Sequence, residues 1–99
     1  MADYRSALEA LRRSILDTRG SLPTEIRRRI YDAEPVDQPL SDYAARVRTE
    51  STSLTEADIE SLKVQGCTED EIFEATLAAA LGAADRTLQA GLAALEGTT

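Results

Sequence analysis

Leu54-Thr55-Glu56-Ala57-Asp58-Ile59 and, beyond Gly66, Cys67-Thr68-Glu69-Asp70-Glu71-Ile72 are two copies of one helix-start signal. Each sets a threonine where its hydroxyl can accept from the backbone N–H three residues on. Each also sets an acid at that third position, where its carboxylate can reach back to the threonine N–H. This is a capping box, in the stronger Glu form at Glu71 and the weaker Asp form at Asp58. The apolar residue before each cap, Leu54 or Cys67, can meet Ile59 or Ile72 at the fourth helical position as a hydrophobic staple. Two helices with a turn at Gly66 follow, one over about 56–65 and one starting at Glu69.

The helix that starts at Glu69 runs to about Glu96, with Gly97 as its C-terminal glycine. At 1.5 Å per residue it is roughly 40 Å long. Leu77, Leu81, Ala84, Leu88, Gly91 and Leu95 recur at spacings of four and three, near the 3.5-residue period of a seam that packs along another helix. Gly82 and Gly91 are places where it could break or kink. So long a helix in a 99-residue chain leaves part of its apolar face uncovered. A homo-oligomer through the Leu77-Leu81-Leu88-Leu95 face is therefore expected.

Upstream, Tyr4, Leu8, Leu11 and Ile15 draw one apolar stripe over a first helix from Tyr4 to Asp17, capped by Asp3 and stopped by Gly20. A second helix begins near Pro23, with Ile26 and Ile30 on one face and Arg27-Arg28-Arg29 on the other. Pro35 and Pro39 disfavour helix in the linker over 34–40. Ser41 caps a third helix through about Glu50 that turns Leu40, Tyr43, Ala44 and Val47 inward, and Ser51-Thr52-Ser53 ends it. The fourth helix buries Ile59, Leu62 and Val64.

Composition agrees with helix. Aromatics are 4% with no Trp, and Ala and Leu dominate the 42% that is apolar, whereas sheet cores lean on branched and aromatic residues. The expectation is one all-α domain of about five helices, with N-terminal helices over 1–33, the linker over 34–40 and a helical half over 41–97. A net charge of −7 argues against nucleic acid and anionic membrane surfaces, where Lys and Arg neutralise phosphates. The Arg12-Arg13 and Arg27-Arg28-Arg29 clusters read as solvated faces paired with nearby acids. The longest apolar stretch, Ala75 to Ala84, is far short of the ~20 residues that cross a bilayer. One cysteine excludes an internal disulfide, and Met1-Ala2-Asp3-Tyr4-Arg5 has no apolar leader, so a cytoplasmic setting is expected.

The residues from Leu54 to Ile59, then Leu62 and Gly66, then Thr68 through Glu74, and Ala78-Ala79-Ala80-Leu81 leading to Arg86 and Leu88, carry a family resemblance. From about Leu40 to Leu95 the chain resembles the second half of the AhpD-like family, which groups carboxymuconolactone decarboxylases with alkylhydroperoxidase D and related peroxidases. The resemblance implies a helical bundle with a long C-terminal helix. Peroxidase-type members carry Cys-x-x-Cys followed by His, with an upstream Glu feeding protons to the pair. Here Cys67 is alone and the chain has no His, so the resemblance implies no catalytic residue, and decarboxylation lacks its imidazole too.

Other candidates have plain explanations. Cys67 sits before a helix N-terminus, which lowers a thiol pKa, but the surrounding acids raise it and the staple accounts for its place. Glu69, Asp70, Glu71 and Glu74 offer oxygens to a hard cation, yet acids in a first helical turn are favoured by the dipole and no His partners the Glu71/Glu74 spacing. Neither cofactor nor metal is expected. Asp58 to Leu77 has helix–turn–helix spacing, but its second helix opens on acids that repel phosphates. The same stretch resembles ubiquitin-associated modules, except that Cys67 stands where those show a bulky apolar residue. Arg86 lies mid-helix at the position of the family arginine and is a candidate for a carboxylate ligand, with Tyr43 and Tyr31 as hydroxyl donors, although the apolar-face spacing of both tyrosines fits core packing. The expected role is a non-catalytic helical protein with a structural or partner-binding function, its partner a second copy or another protein. The alternative is an enzyme or small-molecule binder using Arg86 in an inter-helix pocket.

Overall fold

A computed structural model describes residues 4–17 and 19–98; the proposed Asp3 cap lies outside them. The described chain is all-α: α1 Tyr4–Leu16, α2 Thr24–Tyr31, α3 Leu40–Glu50, a 3₁₀ turn at Ser51–Ser53, α4 Glu56–Val64 and α5 Glu69–Glu96. Both capping boxes form. Thr55 and Thr68 accept from the N–H groups of Asp58 and Glu71, whose carboxylates take the threonine N–H in return. Gly66, at φ +103°, closes α4 in a Schellman turn, its N–H on the Lys63 carbonyl and that of Cys67 on Leu62. The same turn closes α2 with Ala33 in the left-handed position at φ +60°, where Ala33 and Glu34 donate to Ile30 and Arg29. An alanine there costs roughly 1 kcal/mol against glycine.

α5 is the spine, and α2 and α3 lie across its first half. Its buried residues are Ile72, Ala75, Ala78, Ala79 and Gly82. The expected seam lies beside this face: Leu77 and Leu81 are half-buried, Ala84, Leu88, Gly91 and Leu95 are exposed, and the face packed on the core is made of small residues. The reason is close approach. A Cβ on Gly82 would lie 2.0 Å from the Tyr31 carbonyl oxygen, so α2 rests on α5 backbone to backbone and only small side chains fit between them. Gly82 does not break the helix, which runs on to Glu96; it is where α2 docks.

Ser41 does not cap α3. The helix starts one residue earlier, at Leu40 after Pro39, and the Ser41 hydroxyl accepts from the Val36 N–H, 3.3 Å away, to hold the linker. Leu40, Tyr43, Ala44 and Val47 do point inward, as does Leu62, but Val64 is 86% exposed because it faces away at the end of α4. Leu16, which the α1 stripe omitted, is fully buried.

Arg27 is not on a solvated face; it is 3% exposed. It shares a side of α2 with Ile30 and Tyr31, three and four residues on. Its guanidinium donates to the Ile15 carbonyl at 2.6 Å, the Leu22 carbonyl at 3.2 Å and the Thr24 hydroxyl at 3.2 Å, and Glu74 lies 4.0 Å away. Glu74 in turn accepts from the N–H groups of Ser21 and Leu22 at 2.7 and 2.8 Å. This knot fixes the loop between α1 and α2 against α5. Arg28 and Arg29 do face solvent and pair with Asp17 and Glu25.

α1 lies antiparallel beside the second half of α5. Arg5 pairs with Glu96, while Ile15 lies in a cleft shared with Leu81. Because this hairpin extends past the core, the chain measures 52 × 29 × 20 Å with a radius of gyration of 14.9 Å, against about 13 Å for a compact domain of this size.

Candidate functional site

Two features meet at the end of α2. On its backbone, adjacent carbonyls are capped from two other helices: Arg48 on α3 donates to Ile30 O at 3.2 Å, and Arg86 on α5 donates to Tyr31 O. Cations are favoured at a helix C-terminus, the negative end of its dipole. Ile30 O also takes the Ala33 N–H, so Arg48 is an added donor there. On its side chain, the Tyr31 hydroxyl donates to Asp85 at 2.7 Å and the Arg12 guanidinium stacks 5.4 Å from the ring centroid. Burial, then the bond to Asp85, pushes the Tyr31 hydroxyl up to about 12, so it stays a donor throughout the physiological range. The cleft beside it, between α1 and α5, encloses only about 90 Å³ and is walled by Leu8, Ile15, Leu81 and Leu88.

A wider groove of about 260 Å³ separates α3 from α4, with Tyr43 and Leu62 at its floor and Arg46 and Asp58 across it. Arg46 donates to Asp58 at 2.8 Å and to the Ser53 carbonyl and hydroxyl. The bond from Arg46, then that from the Thr55 N–H, lowers the Asp58 carboxyl to about 2. Because the folded pKa lies below the ordinary 3.8, this carboxylate stabilises the fold at higher pH, and the contribution fades as pH falls from about 4 to about 2. Arg46→Gln is expected to shrink the acid-induced fall in stability over that window, measured by urea denaturation at pH 5, 4, 3 and 2. An unchanged slope would mean the pair is not formed in solution.

Tyr43 and Arg86 are not brought together. Tyr43 is 6% exposed, its hydroxyl bonded 2.6 Å from that of Thr76. Thr76 and Arg86 are separated by roughly 15 Å of α5. Arg86 meets a backbone carbonyl rather than a carboxylate, and its partner in charge, Arg48, was not evident from sequence because the two are joined only by packing. Glu71 and Glu74 bind backbone N–H groups, and among the described residues no cluster of three metal-ligating side chains occurs. Cys67 is half-buried, and burial followed by the charge of Glu71 raises its thiol pKa, the opposite of what a nucleophile needs. Among the described residues no helix is long and apolar enough to cross a membrane.

No protein-family model, no curated protein and no solved structure matches this chain.

Proposed function

We propose that this protein is a non-catalytic helical scaffold of AhpD-like type that acts by binding a partner, and that the partner is a second copy docked along the end of α5. The observation that supports this is the run Leu88-Gln89-Ala90-Gly91-Leu92-Ala93-Ala94-Leu95. Charged residues make up 29% of the chain, yet this run has none on any side, although all of it but Leu92 is exposed. A helix end without a charged face belongs in an interior. Leu88 at 41%, Leu95 at 64% and Leu11 of the adjoining α1 at 47% form its apolar centre. The chain has a net charge of −7, and contact through this uncharged run sets no acid of the run itself against its copy. Two α1–α5 hairpins related by a two-fold axis would complete a four-helix bundle. The lone cysteine and the absence of His leave out the Cys-x-x-Cys and His centre on which peroxidase-type members rely.

Light scattering of the purified protein tests this. The expected mass is twice 10.7 kDa. The double variant Leu88→Glu, Leu95→Glu should return a single chain with unchanged helical circular dichroism. A 10.7 kDa particle for the unmodified chain at millimolar concentration would sink the proposal.

A further inference from the structure

The pair of arginines that closes α2 has more positive charge and more donors than a helix cap uses. A helix C-terminus carries about half a negative charge at most, and two guanidiniums meet it here. Arg48 and Arg86 each spend one Nη1 on a carbonyl, of five N–H donors apiece. Five arginines are met by acids: Arg5 by Glu96, Arg27 by Glu74, Arg28 by Asp17, Arg29 by Glu25 and Arg46 by Asp58. Arg12, Arg13 and Arg19 have no such ion pair among the described residues either, but only Arg48 and Arg86 converge on neighbouring carbonyls. Among the described residues, no carboxylate pairs with Arg48 or Arg86. Asp85, next in sequence to Arg86, is turned to the Tyr31 hydroxyl and the Gln89 amide instead. Arg48 and Arg86 meet neighbouring carbonyls of one helix end. Arg48 is half-buried, and burial, then the Arg86 charge, lowers its pKa. Two like charges held side by side by adjacent carbonyls are relieved by an oxyanion bridging them, and guanidinium forks match such oxygens two at a time.

We infer that Arg48 and Arg86, anchored on Ile30 O and Tyr31 O, form a binding site for an oxyanion of the phosphate or carboxylate class. The site is open to solvent on the Arg86 side, so it suits the anionic end of a larger molecule as well as a free ion. It does not depend on self-association and stands if the chain proves monomeric.

Titration of the full chain with inorganic phosphate, and separately with malonate, at ionic strength held constant with chloride, tests this by NMR of the arginine Nε–Hε signals. Saturable shifts of the Arg48 and Arg86 signals are expected in at least one titration, and the tighter anion identifies which class the site prefers. Arg48→Gln and Arg86→Gln should each weaken that binding about tenfold or more, since a charge-assisted bond is lost. Shifts that follow chloride equally, or equal affinity in both variants, would overturn the inference. Should a glutamine variant lose its helical signal, the wild-type titration decides alone: no saturable shift at these two arginines in phosphate or malonate rejects the site.

Discussion

Gly82→Ala is expected to lower stability by about 3 kcal/mol or more, a fall in melting temperature of roughly 15 °C for a domain of this size. In an ordinary helix interior the change would gain up to ~1 kcal/mol, because glycine is the poorer helix former. Here the added methyl would sit 2.0 Å from the Tyr31 carbonyl oxygen and 2.8 Å from its carbon, both backbone atoms that no rotamer change can move. α2 would have to lift off α5, opening the contacts of Ile30 and Tyr31 and pulling Tyr31 O away from Arg86. Gly91 provides the control, since nothing lies within 4 Å of a Cβ there. In the Leu88→Glu, Leu95→Glu background, Gly91→Ala should hold or raise the melting temperature. Thermal unfolding followed by circular dichroism reads both, and a Gly82→Ala protein as stable as its parent would refute the backbone-to-backbone packing of α2 on α5.

Arg27→Met comes second, with an expected loss of about 3–4 kcal/mol in urea denaturation. Methionine fills much of the same space, so the loss isolates the polar work of the guanidinium. Without it, the Ile15 and Leu22 carbonyls lose their donor in an interior where Arg27 itself is 3% exposed. Each unsatisfied buried carbonyl costs roughly 1–3 kcal/mol. Glu74 keeps its two backbone donors, so the loop should stay against α5 while α1 loosens. Arg27→Lys should fall between, because one ammonium cannot reach Ile15 O, Leu22 O and Thr24 together. A loss below 1 kcal/mol for Arg27→Met would show that the knot is dispensable.

Both effects arise where reading by side-chain size and charge misleads. In α5 the leucine stripe Leu77, Leu81, Leu88 and Leu95 reads as the packing face, yet the face packed on the core is Ile72, Ala75, Ala78, Ala79 and Gly82. The signal for it was present as a run of small residues at helical spacing, but small residues also occur on solvated helices, and only a neighbour at contact distance separates the two. Arg27 carried a clearer signal, since it stands three and four residues before Ile30 and Tyr31 on one face of α2. Treating Arg27-Arg28-Arg29 as a single charged cluster concealed that. Nothing local marks Arg48 as the companion of Arg86: they lie on different helices and meet only because α3 and α5 both abut the end of α2.

What the amino-acid sequence determined unaided is the set of helices. The start of α5 at Glu69, the stop of α4 before Gly66 and both capping boxes follow from bonds between residues three to five apart, so the information is complete within a short window. Tertiary structure alone decided which face of α5 is inward, that Arg27 is enclosed and that two arginines converge on adjacent carbonyls. Those outcomes depend on how near two backbones can come and on which carbonyls at a helix end the arginines of other helices can reach. A periodic pattern in one helix constrains its own faces and is silent about the distance to the next.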